Sequence, residues 1–252
     1  MSNCPYLLIH GLIGSLRDLV PLFGAHGLQA HAPDLLGYGS LQQVVPSSIT
    51  LANQVAHLAA WLSDRHIERV HLVGHSVGGA IAMLFATTYP TRVASVSSVE
   101  GNFSLADAFW SASVARMTPT EADTMLRQFR KNPAEWLARS AIDASANNLK
   151  TASELLANQP ASTIQATARS VVEVTGRNDY LATVRALFEG PIAVHLIAGE
   201  RSKDGWNVPE WAFESAASIT YLPGGHLMMV ENPERFVAVL ADLSANPNYR
   251  AE

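Results

Sequence analysis

Short apolar runs alternate along this chain with longer segments whose apolar residues recur at helical spacing, and few architectures accommodate that alternation. The strand candidates are Tyr6 to His10, Leu28 to Ala32, Val70 to Val73, Val93 to Val99, Ile192 to Ala198 and Ser218 to Leu222. Between them, Leu51, Val55, Leu58 and Leu62 predict an amphipathic helix from Leu51 to Arg65, capped by Thr50. A second helix is predicted from Val77 to Tyr89, stopping before Pro90, which cannot continue it comfortably. A last helix follows Asn232-Pro233, with Phe236, Val239, Leu240 and Leu243 facing inward. This alternation predicts an α/β fold of βαβ units around a mostly parallel, buried sheet.

The stretch from about Asn102 to Phe188 breaks the pattern and reads as helix after helix. Thr118-Pro119-Thr120-Glu121 and Asn132-Pro133-Ala134-Glu135 each offer a capping residue, a Pro at the first helical position and a Glu three residues after the cap. A helical block between two strands reads as a lid inserted into the sheet domain. The expected organisation is a core of residues 1–101 and 189–252 with an all-helical cap of residues 102–188. Phe109, Trp110, Met117, Met125, Trp136 and Tyr180 are expected mostly to form the cap's own core, with a minority facing a ligand cavity. The tail Asn246 to Glu252 is polar and expected to fray.

Composition narrows the functional classes. With 252 residues, 48 % of them hydrophobic and only 15 % charged, the chain suits a compact globular enzyme better than a disordered one. A net charge of −5 without a basic cluster lacks the electrostatic footprint of a nucleic-acid binder. Cys4 is the only cysteine, which excludes an internal disulfide and a thiolate metal site and fits a reducing compartment. No signal sequence and no membrane-spanning stretch is legible, so a cytoplasmic, soluble protein acting on a small molecule is expected. The histidines lack metal-ligand spacing, and neither a metal nor a cofactor is expected.

The segment Val70-His71-Leu72-Val73-Gly74-His75-Ser76-Val77-Gly78-Gly79 carries the chemistry: a β-branched run leads through G-x-S-x-G into a helix. So sharp a turn forces strained backbone at the serine and needs small residues at Gly74 and Gly78, and it thrusts the Ser76 hydroxyl outward beside a helix N-terminus. A serine hydroxyl is a weak nucleophile and requires a base, for which histidine has the right proton affinity. Of the nine histidines, His226 stands on a Gly-rich turn between the last predicted strand and the final helix. His75 reads as a packing residue within the elbow.

With Ile9-His10-Gly11-Leu12, Asp34-Leu35-Leu36-Gly37-Tyr38-Gly39-Ser40 and Gly224-Gly225-His226 added, the sequence resembles the α/β-hydrolase family over nearly its whole length outside the lid. That resemblance implies Ser76 as nucleophile, His226 as base, and the backbone N–H groups of Leu12 and Val77 as the oxyanion hole. His10 then reads as a structural residue of its loop. The chain starts almost on the His-Gly strand, without the N-terminal hairpin common in the family, which implies a trimmed sheet of about six strands.

The acid departs from the family pattern. Many members carry Gly-Glu-x-Asp after the strand corresponding to Ile192 to Ala198, whereas this chain reads Gly199-Glu200-Arg201-Ser202. Glu100, at the end of the strand after the nucleophile helix, is the favoured acid, with Asp204 and Glu200 as alternatives. The expected activity is hydrolysis of a small or medium apolar carboxylic ester, thioester or lactone through an acyl-enzyme. The competing readings are a hydrolase-like receptor and carbon–carbon bond cleavage by the same residues. Dehalogenation needs a carboxylate where Ser76 stands, and the hydroxynitrile lyases of the superfamily place a Lys after the catalytic His, where this chain has Leu227.

Overall fold

The structure is a computed structural model that describes residues 4–245; the tail read as fraying lies outside the described residues. The chain passes through β1 (Tyr6–Ile9), α1 (Val20–Ala25), β2 (Ala30–His31), α2 (Leu51–Asp64), β3 (Val70–His75), α3 (Val77–Thr88) and β4 (Val93–Val99). Six helices follow: α4 (Phe109–Arg116), α5 (Pro119–Lys131), α6 (Pro133–Arg139), α7 (Ala146–Ala157), α8 (Ala161–Thr175) and α9 (Asn178–Phe188). It ends with β5 (Ala193–Gly199), α10 (Glu210–Ser215), β6 (Ser218–Leu222), α11 (Met228–Glu231) and α12 (Pro233–Ala245).

All six strands are parallel, in the order β2-β1-β3-β4-β5-β6. This confirms the α/β-hydrolase fold with a helical insertion. The helices flank the sheet in separate groups, α2 and α3 with α9, and α1 with α12. Strands covered on both sides are mostly apolar, and Val70, Leu72 and Val73 supply this for β3, while the half-buried His71 bonds the Ser95 hydroxyl. β1 pairs with β2 on one side and β3 on the other, so the chain changes direction across the sheet there. Open α/β sheets place their ligand crevice at such a switch, beyond the strands' carboxyl ends. The segments after β1 and β3 therefore deserve scrutiny.

Thr50 caps α2 by accepting the Asn53 N–H, and Leu51, Val55, Leu58 and Leu62 are buried as their spacing demands. Each such side chain contributes roughly 1.5–3 kcal/mol of apolar burial. Thr118 and Glu121 form the expected reciprocal capping box, and Asn232 caps α12 through the Arg235 N–H. Two local expectations fail. Asn132 makes no side-chain cap, because the Glu135 N–H donates to the Asn132 main-chain carbonyl instead (3.0 Å). β2 is only Ala30–His31, since the chain diverges from β1 on either side of that pair. In the insertion, Trp136 and Tyr180 are buried but Phe109 is 69 % exposed, so it is not part of the cap's core.

Candidate active site

At the carboxyl end of β3 the chain turns directly into α3 through Ser76, whose φ of +54° is rare for a residue with a Cβ. The turn leaves no room for side chains around it. A Cβ at Gly74 would stand 2.3 Å from the Gly78 carbonyl oxygen, and one at Gly78 would stand 2.2 Å from that of Ile9. Both obstacles are backbone. Gly78→Ala is therefore expected to cost about 3 kcal/mol or more in a urea titration, at the upper end of overpacking penalties; a loss under about 0.5 kcal/mol would contradict this packing. Main-chain bonds to the neighbouring strand's end brace the elbow: Ser76 N–H donates to Val99 (2.9 Å) and Asn102 N–H to Ser76 (3.2 Å).

Glu100 follows β4 directly, also at positive φ (+43°), and its side chain is 4 % exposed. Its Oε1 accepts the Gly199 N–H (2.8 Å) and the Ser202 hydroxyl (2.5 Å), and its Oε2 accepts from His226 Nδ1 (2.6 Å). Burial by itself would raise this carboxyl's pKa. The hydrogen bond and charge of His226, with the Ser202 and Gly199 donors, outweigh burial and hold it below the ordinary carboxylate value. With Nδ1 carrying the proton toward Glu100, His226 Nε2 is left as the acceptor, the tautomer a general base needs. Asp204 and Glu200 are exposed and make no side-chain contact with His226. Ser202 stands where the family's Gly-Glu-x-Asp would place an Asp, and it donates to Glu100.

Three groups fix the turn that carries His226. Beside Glu100 on its ring, Glu231 accepts the Gly225 N–H (2.7 Å) and is itself held by Arg201 (2.6 Å), whose guanidinium also reaches the Ala141 carbonyl in the helical insertion (3.3 Å). His75 donates from Nε2 to the His226 carbonyl (2.9 Å). Sequence reasoning gave no sign of Glu231 or Arg201, and read His75 as packing. A serine in the acid's place was the one available hint for Ser202.

On the other flank, His10 Nδ1 donates to the Gly11 carbonyl (2.8 Å). Carbonyl and N–H point in opposite directions across a trans peptide, so this bond turns the Leu12 N–H away from His10. Burial pushes His10 down to a pKa of about 4, which keeps its ring neutral in this role. The Tyr38 hydroxyl fixes the next peptide through the Leu12 carbonyl (2.9 Å). Leu12 N–H makes no loop or turn hydrogen bond among the described residues, and Val77, first in α3, has no acceptor within the helix. Gly11 lies against the root of the Ser76 side chain, since a Cβ there would be 3.1 Å from Ser76 Cβ.

Ser76 is half-buried and the His226 ring 41 % exposed. Among the described residues neither Ser76 Oγ nor His226 Nε2 makes a hydrogen bond to protein. Such contacts commonly tighten only when substrate occupies the site. A cavity of about 280 Å³ lies beside the elbow, lined by His10, Gly11 and His75, by Leu16, Asp18 and Leu19 after β1, by Leu155 of α7 and by the segment after His226; Ser76 and His226 themselves do not line it. None of Phe109, Trp110, Met117, Met125, Trp136 and Tyr180, a minority of which were expected to face a ligand, lines it.

A model of the alpha/beta hydrolase family matches residues 6–239. The chain is 28 % identical to the provisionally named carbamate hydrolase RutD of Yersinia enterocolitica, over 93 % of this chain and 84 % of that one. It is 35 % identical to 2-hydroxy-6-oxo-2,4-heptadienoate hydrolase of Pseudomonas putida, over 35 % of this chain and 34 % of that one. A thermophilic esterase from Thermogutta terrifontis superposes with a TM-score of 0.70 at 19 % identity, covering 97 % of this chain and 90 % of that one.

Proposed function

The chain belongs to the alpha/beta hydrolase family and is a hydrolase, and on that premise we propose that it is a serine hydrolase cleaving a small or medium apolar carboxylic ester, thioester or lactone. The observation that carries this reading is the hydrogen bond from His226 Nδ1 to the buried Glu100, which leaves Nε2 free to serve the strained elbow hydroxyl of Ser76. Ser76 Oγ attacks the acyl carbon while His226 Nε2 takes its proton. The Leu12 and Val77 N–H groups receive the charge that develops on the carbonyl oxygen. His226 returns the proton to the leaving alcohol or thiol, and a water activated by the same imidazole releases the acid. Residues 102–188 act as the cap, and the 280 Å³ cavity, walled by Leu16, Leu19 and Leu155, suits a short apolar group.

A second reading, cleavage of a carbamate by the same residues, is favoured by the likeness to RutD across most of the chain. Turnover of p-nitrophenyl butyrate and of an aryl carbamate, each in the parent and in Ser76→Ala, separates the two. Ester turnover lost with Ser76 supports the first reading. Carbamate turnover alone, lost in the same way, replaces it with the second, and turnover that survives Ser76→Ala rejects both. In the ester assay Ser202→Ala is expected to lower kcat about 10-fold, the order of one hydrogen bond to a charged group. An unchanged kcat would show that Glu100 does not depend on that donor.

A further inference from the structure

The elbow and the base's turn are far apart in sequence, yet the proposed chemistry needs Ser76 and His226 in fixed relation. Glu100 holds the base's ring, and Glu231 holds the peptide before it. Neither is attached to the nucleophile's strand. His75 is the last residue of β3 and the immediate neighbour of Ser76. Its Nε2 lies 2.9 Å from the His226 carbonyl oxygen, and its ring sits 4.6 Å from the His226 ring, centroid to centroid. Among the described residues this is the one hydrogen bond that joins the elbow to the base's turn.

We infer that His75 is a positioning residue for the base: its Nε2–H clamps the main chain of His226 to the strand that carries Ser76, and so sets the spacing between nucleophile and imidazole. This deepens the serine-hydrolase reading and rests on it. A carbonyl oxygen can only accept, so Nε2 must carry the proton, which leaves Nδ1 bare against Gly11, where an added Cβ would stand 3.0 Å away. The ring is 5 % exposed. Burial first, and then the neighbouring His226 and His10, push it down to a pKa of about 3, against the opposing pull of Glu100 and the His226 carbonyl. His75 therefore stays a neutral single donor over the whole range in which the enzyme would work. A residue that only filled space would be replaceable by an apolar side chain of similar size. A clamp is not.

The test compares His75→Leu, which fills the volume without a donor, with His75→Gln, whose amide nitrogen reaches the Nε2 position, and His75→Asn, whose amide is too short. Leu and Asn are expected to lower kcat about 10- to 100-fold with KM within about 3-fold, as for a small misplacement of reacting groups. Gln is expected to restore kcat to within about 3-fold of the parent. A Leu variant with parental kcat overturns the inference, as do Gln and Asn falling alike, or a loss confined to KM. If the Leu variant does not fold, the Gln and Asn pair decides alone. A parent without Ser76-dependent turnover overturns the underlying reading and this inference with it. Ser76-dependent turnover with an indifferent His75 overturns the inference alone.

Discussion

Ser76→Ala is expected to lower kcat on a p-nitrophenyl ester by at least about 10⁴-fold while leaving the folded state intact, because the hydroxyl is the proposed attacking group and supports no other contact. Among the described residues Ser76 Oγ donates and accepts nothing, so its removal leaves no buried partner unpaired. The change in unfolding free energy should therefore stay within about 0.5 kcal/mol. The braces of the elbow are main-chain bonds through the Ser76 N–H and carbonyl, which alanine keeps. Turnover within about tenfold of the parent would remove Ser76 from the mechanism, and lost turnover accompanied by unfolding would leave the elbow as a structural feature only.

Glu100→Gln should cost about 10³- to 10⁴-fold in kcat, and the reason lies in which end of the amide faces which neighbour. Oε1 of the native carboxylate already receives two donors, the Gly199 N–H and the Ser202 hydroxyl. A glutamine must present its carbonyl oxygen to them and its NH₂ to His226 Nδ1. Two donors cannot face each other, so the imidazole must carry its proton on Nε2, and a base so protonated cannot accept one from Ser76. Asp204→Asn, at an exposed turn with no hydrogen bond or ion pair to the imidazole, should change kcat less than about twofold. Equal losses in the two variants, or none in either, would contradict Glu100 as the acid.

The fold was legible because the sheet is buried, so its strands carry short β-branched and aliphatic runs, Val70, Leu72 and Val73 in β3 and Val93, Val96 and Val99 in β4, that stand apart from the 3.6-period helices. Caps were legible where one side chain meets one nearby N–H, as at Thr50 and Thr118. They were not at Asn132, whose own main-chain carbonyl takes the Glu135 N–H that its side chain was expected to accept. β2 was read too long because Leu28 and Ala32 are apolar for reasons other than strand pairing, both packing against the core at its rim. Phe109 was misplaced because helical spacing specifies a face but not what covers it.

Toward the candidate site, the sequence offered side chains with distinctive chemistry at turns: a serine between glycines, a histidine after glycines, and a carboxylate at the end of a strand. What it could not offer were bonds from side chain to distant backbone. His75 reaches His226 across 151 positions, and Glu100 reaches the Gly199 N–H across 99; neither leaves a periodic trace. The cavity was equally hidden, because its walls come from four separated segments.

The most direct test of the central claim is intact-mass and peptide-mapping mass spectrometry of the protein after a brief exposure to an alkyl fluorophosphonate. The account predicts a single phosphonyl adduct, formed with loss of fluoride, on the peptide containing Ser76, and none in Ser76→Ala. An adduct on a different residue, or a parent protein that turns over ester yet takes up no label, would contradict it.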